Sequence, residues 1–278
     1  MTGSLCTVFQ VLAERTAFRH RRSHETGVWL REDGYTALNL QDLWSFRSAG
    51  LTIIDFSPFV ESRETGADWE WWFEDNSGAF GAAVQAKCLK DGRFDFGYKS
   101  KGGSPQMQRL LDYCAHMGDL SPQYCLYSGL SDAELLAISW SCPSFPSSAS
   151  AWGCSLLDGI VAAQLLGSGR TELQYVLSRS WPWQCIACCN SGAQSPVGMA
   201  TRAFSLGQRL RAQSDGGNAA FDVSADQDSP AALAPSMQPA LPNRIARLLD
   251  STGISQLSRG QLLDEWRGEL PRAVVVVR

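Results

Sequence analysis

The chain has 278 residues, 44% apolar and 19% charged, with a formal net charge of −4 at pH 7. That length gives one large domain or a domain with an appendage, and the composition is ordinary for a soluble globular protein. The slight acidity excludes nucleic-acid binding through overall charge, which leaves only a local basic surface for that purpose, and no apolar run approaches the ~20 residues that span a bilayer.

From Leu5 to Arg22 the apolar residues Val8, Val11, Leu12 and Phe18 follow helical spacing, and the segment ends in Arg19-His20-Arg21-Arg22. This predicts an amphipathic helix with a basic tail. Such a tail either contacts phosphates or complements the helix dipole and stays solvated. A second helix is predicted over Tyr35 to Phe46, then a buried strand over Leu51 to Phe56 that Ser57-Pro58 ends. An aromatic strand, Asp68-Trp69-Glu70-Trp71-Trp72-Phe73, leads through a turn at Asn76-Ser77-Gly78 into a strand carrying Gln85 and Lys87. Arg93 to Tyr98 reads as a further strand or extended arm, and Lys99 to Pro105 as a cationic loop. Ser104-Pro105 starts a helix over Gln106 to Met117, with Met107, Leu110, Leu111 and Cys114 at helical spacing. Pro122 to Tyr127 is again a strand.

Further on, a short helix is predicted over Ser131 to Trp140, a Ser/Pro loop over Pro143 to Ser150 and a helix over Leu156 to Leu166. Trp181 to Cys189 reads as a last strand or turn. Residues 213–242 are too poor in apolar side chains to pack and read as a linker. Ile245 to Leu249 and Gln261 to Trp266 suit two short helices, and Val274 to Val277 a strand. The expected organisation is a domain over 1–212, a flexible linker over 213–242 and a small C-terminal segment over 243–278.

The chemistry centres on the strand pair. Side chains alternate along a strand, so Gln85 and Lys87 share one face while Val84, Ala86 and Cys88 take the other. If the two strands are neighbours, Asp68 reaches the face of Gln85 and Lys87. An acid, an amide oxygen and an ammonium then meet, the minimum set for holding a divalent cation against a phosphate. Glu70 alternates onto the face of Asp68, and Glu64 precedes the turn and is able to swing in. The plainer alternative makes Asp68 a turn cap and Glu70, Gln85 and Lys87 the polar side of an exposed strand. Against it, Val84 and Ala86 mark a central strand, where a lysine is costly without an acid or anion nearby. Trp69, Trp71 and Phe73 read as core rather than as a base-stacking platform.

The Asp68, Gln85-x-Lys87 arrangement resembles the PD-(D/E)XK nuclease superfamily, in its variant with glutamine in place of the second acid. The fuller string Glu64-Thr65-Gly66-Ala67-Asp68-Trp69-Glu70-Trp71-Trp72 with Gln85-Ala86-Lys87 is also similar to an uncharacterised bacterial domain family near that superfamily. The order helix, strand, strand, strand, helix, strand from the second helix onward agrees. The resemblance implies a restriction-endonuclease-like α/β core, a mixed central sheet flanked by helices, with a linker and a small C-terminal appendage. It implies Mg2+ or Mn2+ held by Asp68, Gln85 and Glu70, catalysis by Asp68, Gln85, Lys87 and Glu64, and nucleic-acid contacts from Lys99, Lys101 and Gln106. Glu14 and Glu32 are the acids that earlier helices offer to such a site. The partner implied is DNA first, then RNA, with a homodimer as one way to cut both strands, and relatives with this motif often serve restriction or phage defence in bacteria. The alternative is an inactive module of the same fold that binds nucleic acid or protein.

Cys185-x-x-Cys188-Cys189 lacks a second CxxC pair for zinc, and reads first as buried thiols. Nine irregularly spaced cysteines without a secretory n-region and h-region suggest reduced thiols and a cytoplasmic location. Three histidines form no triad with a serine, and neither a nucleophile elbow nor a phosphate-binding P-loop is present.

Overall fold

The computed structural model describes residues 5–45, 51–55, 65–99, 104–136, 138, 148–188, 195–198, 200–201, 203–204, 237–250 and 273–278. Its helices are α1 (Leu5–Thr26), α2 (Glu32–Trp44), α3 (Gln106–Met117), α4 (Asp132–Leu136), α5 (Gly159–Gly167), α6 (Leu173–Leu177), α7 (Cys185–Cys188) and α8 (Asn243–Asp250). The strands are β1 (Leu51–Asp55), β2 (Trp69–Asp75), β3 (Gly78–Lys90), β4 (Arg93–Phe94), β5 (Leu120–Tyr127), β6 (Cys154–Asp158), β7 (Trp181–Pro182) and β8 (Ala273–Val277). The result is an α/β fold with a mixed central sheet in the order β1-β8-β2-β3-β5-β6-β7, with β4 beside β3.

Period-two alternation sorts the sheet into two apolar faces. Trp69, Trp71, Phe73, Val84, Ala86, Val275 and Val277 join Val8, Phe9 and Leu12 of α1, Leu43 of α2 and Ile186 of α7. Trp72, Ala83, Tyr124, Leu126, Val274 and Val276 join Leu110 of α3, Val161 of α5 and Ile245 and Leu248 of α8. Helices therefore cover both faces, as a sheet with buried parallel pairs requires. The hairpin of β2 and β3 sets Trp72 opposite Gly81. A Cβ at Gly81 would lie 2.6 Å from the Trp72 ring, so glycine is what lets that indole lie flat on the neighbouring strand.

Several expectations need correction. The C-terminal segment is no appendage, because β8 lies between β1 and β2, antiparallel to the first and parallel to the second. Its five apolar residues are all buried, and an unbroken Ala-Val run has no polar face to leave in solvent. The end of the expected linker is docked as well. Gln238 exchanges two backbone hydrogen bonds of 2.8 Å with Ala79, and Leu241 is buried; residues 213–236 and 261–266 lie outside the described residues. The apolar stretch read as one helix over Leu156 to Leu166 is strand β6 followed by α5. Asp158 separates the two by accepting hydrogen bonds from the backbone N–H groups of Ile160 and Val161. The arm over Arg93 to Tyr98 forms ladder pairs only at Arg93 and Phe94. After β7, the residues read as a strand or turn wind into α7. The thiols are not all reduced either, since Cys6 at the start of α1 is disulfide-bonded to Cys188 of α7. No helix among the described residues is long and apolar enough to cross a membrane.

Candidate cation site on the α3 face of the sheet

Three backbone features build the site. Residues 65–67 form a tight turn in which Gly66 has φ +70, and a Cβ there would lie 2.6 Å from the Gln106 carbonyl oxygen and the Leu110 nitrogen. Only glycine lets this turn press against the first turn of α3. Asp68 then joins the ladder, donating its N–H to the Val84 carbonyl at 2.8 Å, while its Oδ2 accepts the Ala86 N–H at 2.7 Å. This carboxylate is thereby fixed to β3 between Gln85 and Lys87. The parallel pairing of β3 with β5 finally sets Gln85 opposite Tyr124 and Lys87 opposite Leu126.

Gln85 is fully buried, and its Nε2 donates to the Gly66 carbonyl oxygen at 2.8 Å. A carbonyl only accepts, so this bond fixes which end of the amide is which. The Oε1 end is buried without a hydrogen-bond partner. An acceptor in that condition costs about 1–3 kcal/mol, and native proteins rarely leave one unoccupied. Lys87 is 6% exposed, and its Nζ donates to Gln106 Oε1 at 3.0 Å while lying 5.6 Å from the Tyr98 ring centre. Burial pulls its pKa below the ordinary lysine value, and the Asp68 carboxylate, then Glu32 and Asp95, pull back. The Asp68 carboxylate is held at Ala86, between Gln85 and Lys87 in sequence, and its charge reaches Lys87. Gln106, which the resemblance places among the nucleic-acid contacts, accepts the hydrogen bond of this amine.

Other candidates fall elsewhere. Glu70 is fully buried and does not serve the site, because its carboxylate is spent on structure. Trp72 Nε1 donates to it at 2.6 Å, the Tyr113 hydroxyl donates to its other oxygen, and the Arg244 guanidinium of α8 lies 3.4 Å away. Period two put Glu70 on the right face of β2, but its register opposite Ala83 brings its charge to Tyr113 and Arg244 rather than to Lys87 and Gln106. Glu64 and Lys101 lie outside the described residues. Lys99 is exposed and pairs by backbone with Pro105, beside Gln106. Glu14 is exposed on α1, whereas the Glu32 charge reaches Lys87. The basic tail of α1 finds partners within the chain. Arg19 pairs with Asp42 at 3.5 Å, Arg22 with Glu25 at 2.8 Å, and His20 bonds the Leu89 carbonyl at 2.9 Å. Cys188 is held in a disulfide, which removes it as a zinc ligand, Cys185 is a buried thiol outside any disulfide, and Cys189 lies outside the described residues.

Beyond Lys87, the end of β3 opens into a groove of about 1000 Å³ lined by Trp29, Glu32, Tyr35, Lys90, Arg93 and Asp95, among others. Trp29 is half exposed and packs edge-on against His24, with ring centres 4.4 Å apart. Cations and acids alternate along this groove, and Arg93 is already paired with Glu172 at 2.6 Å.

The donor set suits a hard cation with modest protein charge. Among the described residues no three His, Cys, Asp or Glu side chains gather into a metal-binding cluster. What is present is one carboxylate, Asp68, and one unpartnered amide oxygen, Gln85 Oε1, both oxygen donors of the type that Mg2+ accepts alongside water and phosphate. Tyr124 and the Gly66 carbonyl are site features that the sequence pattern did not single out. Tyr124 is missed because register between β3 and β5 is not written in either strand alone.

No curated protein and no solved structure matches the chain. The model of a family of unknown function, DUF6615, matches residues 5–278, and the chain belongs to that family.

Proposed function

We propose that this protein is a metal-dependent nuclease that hydrolyses phosphodiester bonds of DNA, with Asp68, Gln85 and Lys87 at its centre. The observation that carries the reading is the Gln85 amide, which Gly66 turns so that an unpartnered, buried oxygen lies on the sheet face shared with Asp68 and Lys87. The residues fit a divalent cation, which Asp68 and Gln85 would hold. When bound, Mg2+ or Mn2+ polarises phosphoryl oxygens and acidifies water. The chain supplies the rest. Lys87 presents a positive charge in a poorly hydrated setting, where charge developing on a phosphate is stabilised more than in water. Gln106 and Tyr98 restrain the lysine head, so its placement is set before substrate arrives. The groove past β3 offers an exposed indole and the cations Arg31 and Lys90 to a nucleic-acid strand.

The order α2, β1, β2, β3, α3, β5 agrees with a restriction-endonuclease-like core, and β8 is then an addition between its first two strands. The test is incubation with supercoiled plasmid and with single-stranded DNA and RNA, in Mg2+, Mn2+ or EDTA. Cleavage that needs the metal and is lost in Asp68→Ala and Lys87→Ala supports the proposal. Cleavage that survives in Lys87→Ala, or its absence on every substrate with every metal, sinks it. If cleavage is found, a role in restriction or phage defence is tested by plating phage on cells that express wild type or Lys87→Ala.

A further inference from the structure

We infer that Tyr124 completes the candidate cation site, its hydroxyl donating a hydrogen bond to an oxygen held by the cation. The inference rests on the cation-binding reading of Asp68 and Gln85. It adds a contact that neither the motif nor the family supplies.

Tyr124 stands opposite Gln85 across the parallel β3–β5 ladder, so the two side chains leave the sheet on the same side. The ring is packed in the core beneath α3 and braced by Phe96, with ring centres 5.0 Å apart and planes at 76°. The side chain is fully buried, yet its hydroxyl has no hydrogen-bond partner. Gln85 Oε1 is in the same condition on the adjoining strand. The unpartnered indole nitrogens of Trp69 and Trp71 belong to side chains on the opposite face. Ser155 Oγ and Arg244 Nε on the α3 face are also unpartnered, but Gln85 and Tyr124 stand directly opposite each other on adjoining strands and are complementary in kind. Gln85 offers an acceptor to a cation, and Tyr124 offers a donor to an oxygen that the cation carries. Burial first, and the Asp68 charge second, push the Tyr124 pKa upward, so the hydroxyl keeps its proton at any working pH. A buried hydroxyl without a partner is costly in a core where phenylalanine would fill the same volume.

The oxygen belongs either to water or to a substrate phosphate, and two measurements separate these sources. Thermal unfolding of wild type and Tyr124→Phe is followed in EDTA and across a Mg2+ titration. Steady-state cleavage of plasmid is then compared at saturating Mg2+. In EDTA the variant is expected to melt at or above the wild-type temperature, because an unpartnered hydroxyl has been removed. If the oxygen is water, the Mg2+ concentration needed for half the thermal shift rises roughly tenfold, the scale of one lost hydrogen bond to a charged centre. If it is a phosphate oxygen, the Mg2+ titration is unchanged and kcat falls roughly tenfold with KM held. A variant that melts well below wild type in EDTA, or that matches wild type in both the titration and kcat, overturns the inference. Failure of the underlying reading looks different. Wild type itself then shows neither a Mg2+-dependent shift nor cleavage.

Discussion

Arg244→Met tests whether the C-terminal part of the chain is integral to the site-bearing sheet. Arg244 is 8% exposed and reaches from α8 to two acids, lying 2.9 Å from Asp119 and 3.4 Å from the fully buried Glu70, with its guanidinium 5.3 Å from the Trp72 ring. Methionine keeps much of the apolar stem packing and removes the charge. Breaking a buried pair by deleting one partner typically costs 3–5 kcal/mol. The lower end applies here, because Trp72 and Tyr113 still donate to Glu70 and Asp119 is partly exposed. The expected loss is about 3 kcal/mol at pH 7, or roughly 6–12 °C in Tm for a chain of this size.

The pH dependence supplies a second check. Burial already holds the Glu70 pKa above its ordinary value, against the pull of Arg244 and then of Tyr113 and Trp72. Without Arg244 it rises further. A carboxyl with a raised folded pKa binds more protons folded than unfolded, so stability falls as pH climbs from the ordinary carboxylate value through the folded one. The gap between variant and wild type should therefore shrink as pH drops toward 4.5, the ordinary value for that group. Glu70→Gln in the Arg244→Met background should recover part of the loss at pH 7. Urea unfolding from pH 5 to 8 measures all of this. A loss under ~1 kcal/mol, or a gap that stays flat with pH, would refute the argument that a buried ion pair clamps α8 to β2.

Gly66→Ala forces a Cβ to within 2.6 Å of α3 backbone at a positive φ, and should lower stability by about 2–4 kcal/mol in chemical denaturation while weakening Mg2+ binding through the lost grip on Gln85. Lys87→Met should change stability by less than ~1 kcal/mol near neutral pH, since relief of a buried ammonium offsets lost contacts. The Lys87 pKa is lowered in the fold, so fewer protons are bound folded than unfolded just below the ordinary lysine value of 10.5. Wild type should accordingly gain stability relative to Lys87→Met as pH rises through that window, and a difference independent of pH between 8 and 10.5 would show that the ammonium is not buried. Reduction of the disulfide between Cys6 and Cys188, which are 182 residues apart, should cost about 2–5 kcal/mol. Thiol titration before and after dithiothreitol checks the pairing, and Cys6→Ser should show no further loss on reduction.

Local chemistry made much of the frame readable before any coordinates. Ser104-Pro105 and the spacing of Met107, Leu110 and Cys114 define α3 because a helix start and a buried stripe are both local signals, and the helix runs over Gln106–Met117. The pair of β2 and β3 was visible in the alternating tryptophans and the turn at Asn76-Ser77-Gly78. Gln85 and Lys87 shared a face by period alone. What stayed hidden depended on partners distant in sequence. Val274 to Val277 announces a strand, but nothing in four valines says that it enters the sheet between β1 and β2. Glu70 has the right parity for the site, and only the arrival of Arg244 and Tyr113 shows where its charge goes. The apolar stretch after Leu156 fits strand or helix, and Asp158 decides it as a cap that composition alone does not weigh. Tyr124 sits on a strand that was expected, yet its place beside Gln85 follows from the β3–β5 register.

The central claim is that Asp68 and Gln85 together bind one divalent cation, and calorimetric titration of Mn2+ into metal-free protein tests it most directly. The account predicts about one ion per chain, with binding lost in Asp68→Asn and weakened at least roughly tenfold in Gln85→Leu, which keeps the side-chain volume and removes the acceptor. No binding by the folded wild type, or binding by Gln85→Leu equal to wild type, would contradict it.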